Sequence, residues 1–335
     1  MSAPEILTTV VGSYPVPDWL RAYPTRQSLA DATMVVLKTQ EQAGIDVVAD
    51  GELSRFDVNH PETNGMIDYF IRPMSGITSE ISRETLEAFR RESGLAYRAE
   101  PAGVVEGPVG EGMLNLPRDY ALVRPLTRAR LKFTVTGPHM LSKVLMDRHY
   151  RDRAGLADAI AEVLARQVAE VDADVVQVDE ANIPGHPEEA EWAAAAINRV
   201  LDAVKGEKAV HVCFGNYGGQ TVQRGAWEAL APFLFALRAD HLVLEFKRPG
   251  IEHAACLKDM PARIGVGLGV VDIKDNRIET AEEIARDIER AEGLVGKGRV
   301  KYIHPDCGFW MLQRSVADRK IAALVKGRDL FEGRV

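Results

Sequence analysis

Apolar residues recur along this chain in two alternating rhythms. Short β-rich runs appear first: ILTTVVGS (6–13), IDVVAD (45–50), LKFTVTG (131–137), ADVVQVDE (173–180), KAVHVCF (208–214), HLVLEF (241–246), RIGVGLGV (263–270) and RVKYIHP (299–305). Each is the length of a strand. Between the later runs the period lengthens. Leu156 to Val171 carries apolar residues at helical spacing, and Thr280 with Glu283 is a capping box opening a helix to about Leu294. Eight strands alternating with helices predict an α/β fold, a (β/α)8 TIM barrel, with a doubly wound open sheet as the rival.

The residues at the strand ends separate the two. Gly12-Ser13, Asp50-Gly51-Glu52, Gly137-Pro138-His139, Asp179-Glu180, His211 with Cys213, Glu245, Asp272 and Asp306-Cys307 all fall there. A barrel brings its C-terminal strand ends together on one face, whereas an open sheet scatters them along a line. The barrel is therefore expected, as a single domain over 1–335. The stretch 51–130 is too long for an ordinary connection after the second strand. It holds a helical segment (82–93) and the Gly/Pro-rich PAGVVEGPVGEGMLNLP (101–117). It reads as an excursion, a lid over the barrel mouth.

Composition narrows the class. A chain of 335 residues, 46% hydrophobic, can bury a barrel-sized core. A net charge of −8 argues against nucleic acid or an anionic membrane as the main partner. No basic-then-apolar leader and no span-length apolar stretch is present, and three cysteines supply no disulfide framework. A cytoplasmic enzyme is expected.

The chemistry sits at three separated strand ends. His211, Cys213, Glu245 and Cys307 make a plausible tetrahedral zinc set. His211 and Cys213 are two residues apart, so on an extended strand they point to the same side. An isolated His-x-Cys is as easily a core strand with a buried cysteine. Two of the chain's cysteines meeting a carboxylate at other strand ends favours the metal, used to activate a thiol. Cys256, in EHAACLK, is expected to pack a helix, and Phe309 and Trp310 to pack rather than hold a ligand. His139 reads as a satisfied histidine near the mouth, with His304 and Asp306 as supports of Cys307.

The order VVGSYP, DGELSRFD, TGP, QVDE, HVC, LEF, GLGVVD, HPDCG resembles the catalytic half of the cobalamin-independent methionine synthases, from about Thr8 to the end of the chain. The resemblance implies a zinc (β/α)8 barrel that transfers a methyl group to the sulfur of homocysteine. It places His211, Cys213, Glu245 and Cys307 at the zinc positions, Glu245 being the displaceable ligand. Ser13, Glu52 and Asp179 match positions that hold the amino-acid end of homocysteine. The two carboxylates would face its ammonium; Ser13 would take its carboxylate.

The chain departs from that pattern in three ways. Val144, in GPHMLSKV, stands where the folate enzymes place a stacking tryptophan. Lys274, in GVVDIKD, stands where they carry a proton-donating histidine, with Asp272 beside it as an orienting group. The N-terminal half of those enzymes, which helps bind folate, is not in this sequence. Lys274 and Asp272 are the catalytic candidates. The expected donor is methylcobalamin or a methylated corrinoid protein, ahead of methyltetrahydrofolate. Two other readings stay open: zinc-dependent alkyl transfer to another thiol such as coenzyme M, and an inert barrel serving as a binding partner.

Overall fold

All eight short apolar runs become strands in the computed structural model, which describes residues 5–55, 65–95, 98–216, 221, 223 and 225–334. They are β1 (Leu7–Thr8), β2 (Val47–Ala49), β3 (Arg130–Thr136), β4 (Val175–Glu180), β5 (Glu207–Val212), β6 (His241–Leu244), β7 (Gly265–Val271) and β8 (Val300–Pro305). Their order in the sheet is β1-β8-β7-β6-β5-β4-β3-β2, every pairing parallel. A parallel bridge from Thr9 to Val47 joins the two ends of that order and closes the ring. The (β/α)8 barrel is the observed fold, and the open sheet is excluded.

Alternation along β4 explains what faces inward. Val176 and Val178 belong to the large core under the outer helices, while Val175 joins Val47, Ala209, Val243 and Tyr302 in a separate small apolar cluster. That cluster, which also includes Val11, runs along the barrel interior up to the mouth. Two residues further along β4, on the same face, stand Gln177 and then Asp179. Polar side chains thus share the barrel interior with the apolar cluster, and on β4 they lead to the strand C-terminus.

The outer helices start where the sequence supplies caps. Thr280 and Glu283 form the expected capping box of the helix Ala281–Val295. The helix expected from Leu156 starts earlier, Arg153–Val168, because the Asp152 side chain accepts the N–H groups of Ala154 and Gly155. No helix among the described residues is long and apolar enough to cross a membrane.

The stretch after β2 is more regular than its sequence suggests. The helix Arg83–Glu92 forms behind its Ser82 cap, as expected. The Gly/Pro-rich stretch, read as irregular, instead contributes a strand, Val104–Gly110, paired antiparallel with Ser75–Thr78 and parallel with Met146–Asp147. Glycine permits this pairing: a Cβ on Gly76, at φ +83°, would lie 2.3 Å from the Pro108 carbonyl oxygen. Phe56 and Asp57 of the DGELSRFD motif lie outside the described residues.

Candidate active site

Three soft donors meet at the C-terminal ends of β5 and β8. One ligand atom each from His211, Cys213 and Cys307 lies within 4.8 Å of the other two. Backbone pairing aims the imidazole: His211 Nδ1 is 2.8 Å from the Val243 carbonyl, which fixes Nδ1 as the protonated nitrogen. His211 Nε2, fully buried, has no hydrogen-bond partner among the described residues. A buried polar atom without a partner is costly unless something else satisfies it. Here it lies beside two thiol sulfurs 3.8 Å apart. One nitrogen and two sulfurs, with an aimed and unspent lone pair, fit zinc. The hydrogen bond with Cys213, helped by His211, holds the Cys307 thiol well below the usual range.

Glu245, the fourth expected ligand, stands alongside this trio rather than in it. Its Oε1 accepts from Lys274 Nζ at 2.8 Å and its Oε2 from the Phe214 N–H at 3.0 Å. Asp306 sets the position of this strand end, its carboxylate taking the N–H groups of Phe246, Lys247 and Arg248. Burial works against the Lys274 charge, but Glu245 more than offsets this and keeps the ammonium's pKa above its ordinary value. Asp272 lies off the pocket wall. It accepts the Lys274 N–H at 2.8 Å and pairs with Arg248 at 3.0 Å, so it braces Lys274.

The β1–β4 side of the same pocket is built from hard oxygens and adjoins the trio: Asp179 stands beside His211 in the strand ladder, and the Ser13 carbonyl accepts the Phe309 N–H just after Cys307. Ser13, Glu52 and Asp179 line it together with His211, Cys213 and Cys307. Glu52 adopts φ 58°, a left-handed conformation uncommon for a residue with a side chain. Its Oε1 accepts from Thr134 Oγ1 at 2.6 Å and lies 3.4 Å from the buried guanidinium of Arg55. A Cβ on Gly12 would sit 2.2 Å from that oxygen, so glycine there makes room for the carboxylate. Asp179 accepts from Gln177 Nε2 at 2.6 Å. Burial raises its pKa to about 7, against the lowering effect of nearby His211.

The remaining expectations divide. His139 is buried between Glu180 (3.1 Å) and Glu189 (2.8 Å), which keep it charged to about pH 9 against burial. Its Nε2 is paired with Glu189, while Nδ1 faces Glu180 without forming a hydrogen bond. Phe309 is buried against Tyr14, whereas Trp310 is half exposed on the pocket wall and is not the packing residue expected. Val144 is core. Cys256 falls in a short 3-10 helix, Ile251–Leu257. Thr134, Arg55, Gln177 and Lys132 were not singled out from the sequence. Their signal was available: polar residues at alternate positions of β3 (Lys132, Thr134) and β4 (Gln177, Asp179) mark the inward face.

Comparison with known proteins adds the family. A family model described as the catalytic domain of the cobalamin-independent synthases matches residues 6–328. A methionine synthase of Sulfurisphaera tokodaii is 30% identical, covering 98% of this chain and 93% of its own. One from Thermococcus kodakarensis is 29% identical, with 98% and 94% covered. The solved structure of a B12-independent methionine synthase from a Shewanella species, in complex with selenomethionine, superposes with a TM-score of 0.80 at 25% identity, with 99% of each chain covered.

Proposed function

This chain belongs to the cobalamin-independent synthase family and is a methyltransferase, and from that premise we propose that it methylates the thiolate of homocysteine, with zinc, to give methionine. The observation that carries the reading is the partnerless His211 Nε2 beside two thiol sulfurs, in a pocket whose other wall carries two carboxylates. His211, Cys213 and Cys307 would hold the metal, with Glu245 as the fourth ligand. Bound there, zinc supplies the Lewis acidity that keeps a substrate thiol deprotonated at neutral pH. Lys274 holds Glu245 when the substrate sulfur takes its place.

The carboxylate wall fixes the other end of the substrate. Asp179 and Glu52 receive the ammonium; Ser13 and adjacent N–H groups receive the carboxylate. An amino-acid thiol spans the two walls, a sulfonate thiol such as coenzyme M does not, because its anionic end would face Asp179 and Glu52. The selenomethionine carried by the Shewanella relative agrees with an amino-acid site. We read 51–130 as part of the same barrel domain, covering its mouth, since Met66 and Ile67 from it line the pocket.

The donor expected from the sequence needs correction. Methylcobalamin, or a corrinoid protein as partner, finds no support in a family described as cobalamin-independent. Methyltetrahydrofolate, the alternative, is the donor to assay. Zinc-loaded protein should bind L-homocysteine and form methionine from it. Protein that purifies without stoichiometric zinc and does not bind homocysteine after metal loading would overturn the reading.

A further inference from the structure

The barrel interior contains a lysine that methyl transfer at the rim does not call for. Lys132, on β3, is 2% exposed. Its Nζ donates to the Val10 carbonyl and, at 2.7 Å, to Gln177 Oε1. Among the described residues no carboxylate touches it; Asp179, Glu52 and Glu207 act on it only through space. Barrel interiors are ordinarily filled by branched apolar side chains. A buried ammonium is costly, so stability alone does not account for a lysine here.

Gln177 links this lysine to the substrate wall. Its Nε2 donates to the Val11 carbonyl at 2.8 Å and to Asp179 Oδ1 at 2.6 Å. The Val11 carbonyl and the Asp179 carboxylate can only accept, which turns the amide NH2 toward them and leaves its oxygen to take the Lys132 donor. A flipped amide would set its oxygen against two acceptors. Glutamine is suited to this place because it accepts at one end and donates at the other.

We infer that Lys132 and Gln177 are positioning residues for substrate selection: they lock the Asp179 carboxylate in the orientation that receives the amino group of an amino-acid thiol. The inference rests on the reading of Asp179 as an ammonium site. The hydrogen-bonded path from Lys132 to Asp179 runs through the amide, beside a charge interaction across space, and neither Lys132 nor Gln177 lines the pocket. The pair therefore acts on recognition of the amino group and leaves sulfur binding alone.

The test compares two ligands on zinc-loaded protein by titration calorimetry: L-homocysteine and 4-mercaptobutanoate, which lacks only the amino group. Gln177→Glu keeps the shape and satisfies Lys132 but removes the donor that faces Asp179. Preference for homocysteine should fall by about 10- to 100-fold, the range for a hydrogen bond to a charged group, with 4-mercaptobutanoate binding and zinc content unchanged. Lys132→Met, which leaves Gln177 Oε1 without its donor, should lower the preference in the same direction. A merely structural role predicts equal losses for both ligands, and either that or an unchanged preference in both variants overturns the inference. Wild-type protein that shows no preference would sink the ammonium site itself, and the inference with it.

Discussion

The two walls of the pocket are built on opposite principles. The β5–β8 wall presents soft donors left short of partners: His211 Nε2 has none among the described residues, and the two sulfurs have chiefly each other. The β1–β4 wall presents hard oxygens already engaged: Glu52 by Thr134 and Arg55, Asp179 by Gln177. A metal site needs lone pairs free to bind, so its protein partners hold the far side of each ligand, as Val243 does for His211. A site for an ammonium needs carboxylates kept in place before the ligand arrives, so its partners hold the carboxylate itself. Unspent donors on one side and carboxylates each held by one oxygen on the other are two forms of preorganisation within one rim.

If the walls are separate devices, damage to one should leave the other intact. The largest effect is expected from Cys307→Ser, which replaces a thiolate by a poor zinc ligand. Stoichiometric zinc should be lost, and methionine formation should fall by more than about 100-fold, beyond the range for partners that only support a ligand. Metal analysis of the purified variant beside the activity assay checks both. A variant that retained zinc and turnover would remove Cys307 from the metal wall.

Asp179→Asn probes the other side. The side chain keeps its size, loses its charge, and meets Gln177 Nε2 with an amide in place of a carboxylate. Zinc content should stay at wild-type level, while kcat/KM for homocysteine falls by about 30- to 100-fold, as for truncating one member of a buried charge pair. Loss of zinc along with substrate affinity would mean that the walls are one cooperative unit. A smaller effect is expected one step further out. Thr134→Val deletes the hydroxyl that donates to Glu52 and also accepts from Arg55. It should raise KM about 10-fold with little change in metal content, the usual cost of freeing a buried charged acceptor.

The walls also differed in how plainly they could be read from the sequence. Cysteine is scarce in this chain, so Cys213 and Cys307 at strand ends stood out, and the apolar runs behind them marked the strands. Threonine and glutamine are common and chemically mild, and nothing at Thr134 or Gln177 marks them beyond their inward phase. Lys132 was hidden differently, since a lysine inside an apolar run is usually a solvated edge residue. The Val104–Gly110 strand escaped because its glycines and proline suit a loop as well as a strand, and only the approach of Gly76 settles which it is. Lys274 was visible as a departure from the family pattern, but its partner was not: its grip on Glu245 arises where two strand ends far apart in sequence meet.

The last effect, on stability rather than turnover, concerns the lysine beneath the carboxylate wall, and its sign is set by burial. Burial lowers the pKa of Lys132 from its ordinary value to about 7, against the pull of Asp179, Glu52 and Glu207. Between that value and the ordinary lysine range near 10.4, the unfolded chain holds a proton that the folded protein has released. Raising the pH through this window therefore favours the folded state; below it both states are protonated and the dependence vanishes. Lys132→Met abolishes this contribution. The stability of wild type relative to the variant should thus rise by about 2 kcal/mol between about pH 7.5 and pH 9.5, a few degrees in melting midpoint. Thermal melts of both zinc-loaded proteins at the two pH values measure it. Parallel behaviour would mean that Lys132 keeps its proton throughout. The barrel would then carry a permanent cation beneath Asp179, and the contrast between the walls would extend to fixed charge: thiolates above the metal on one side, an ammonium behind the carboxylates on the other.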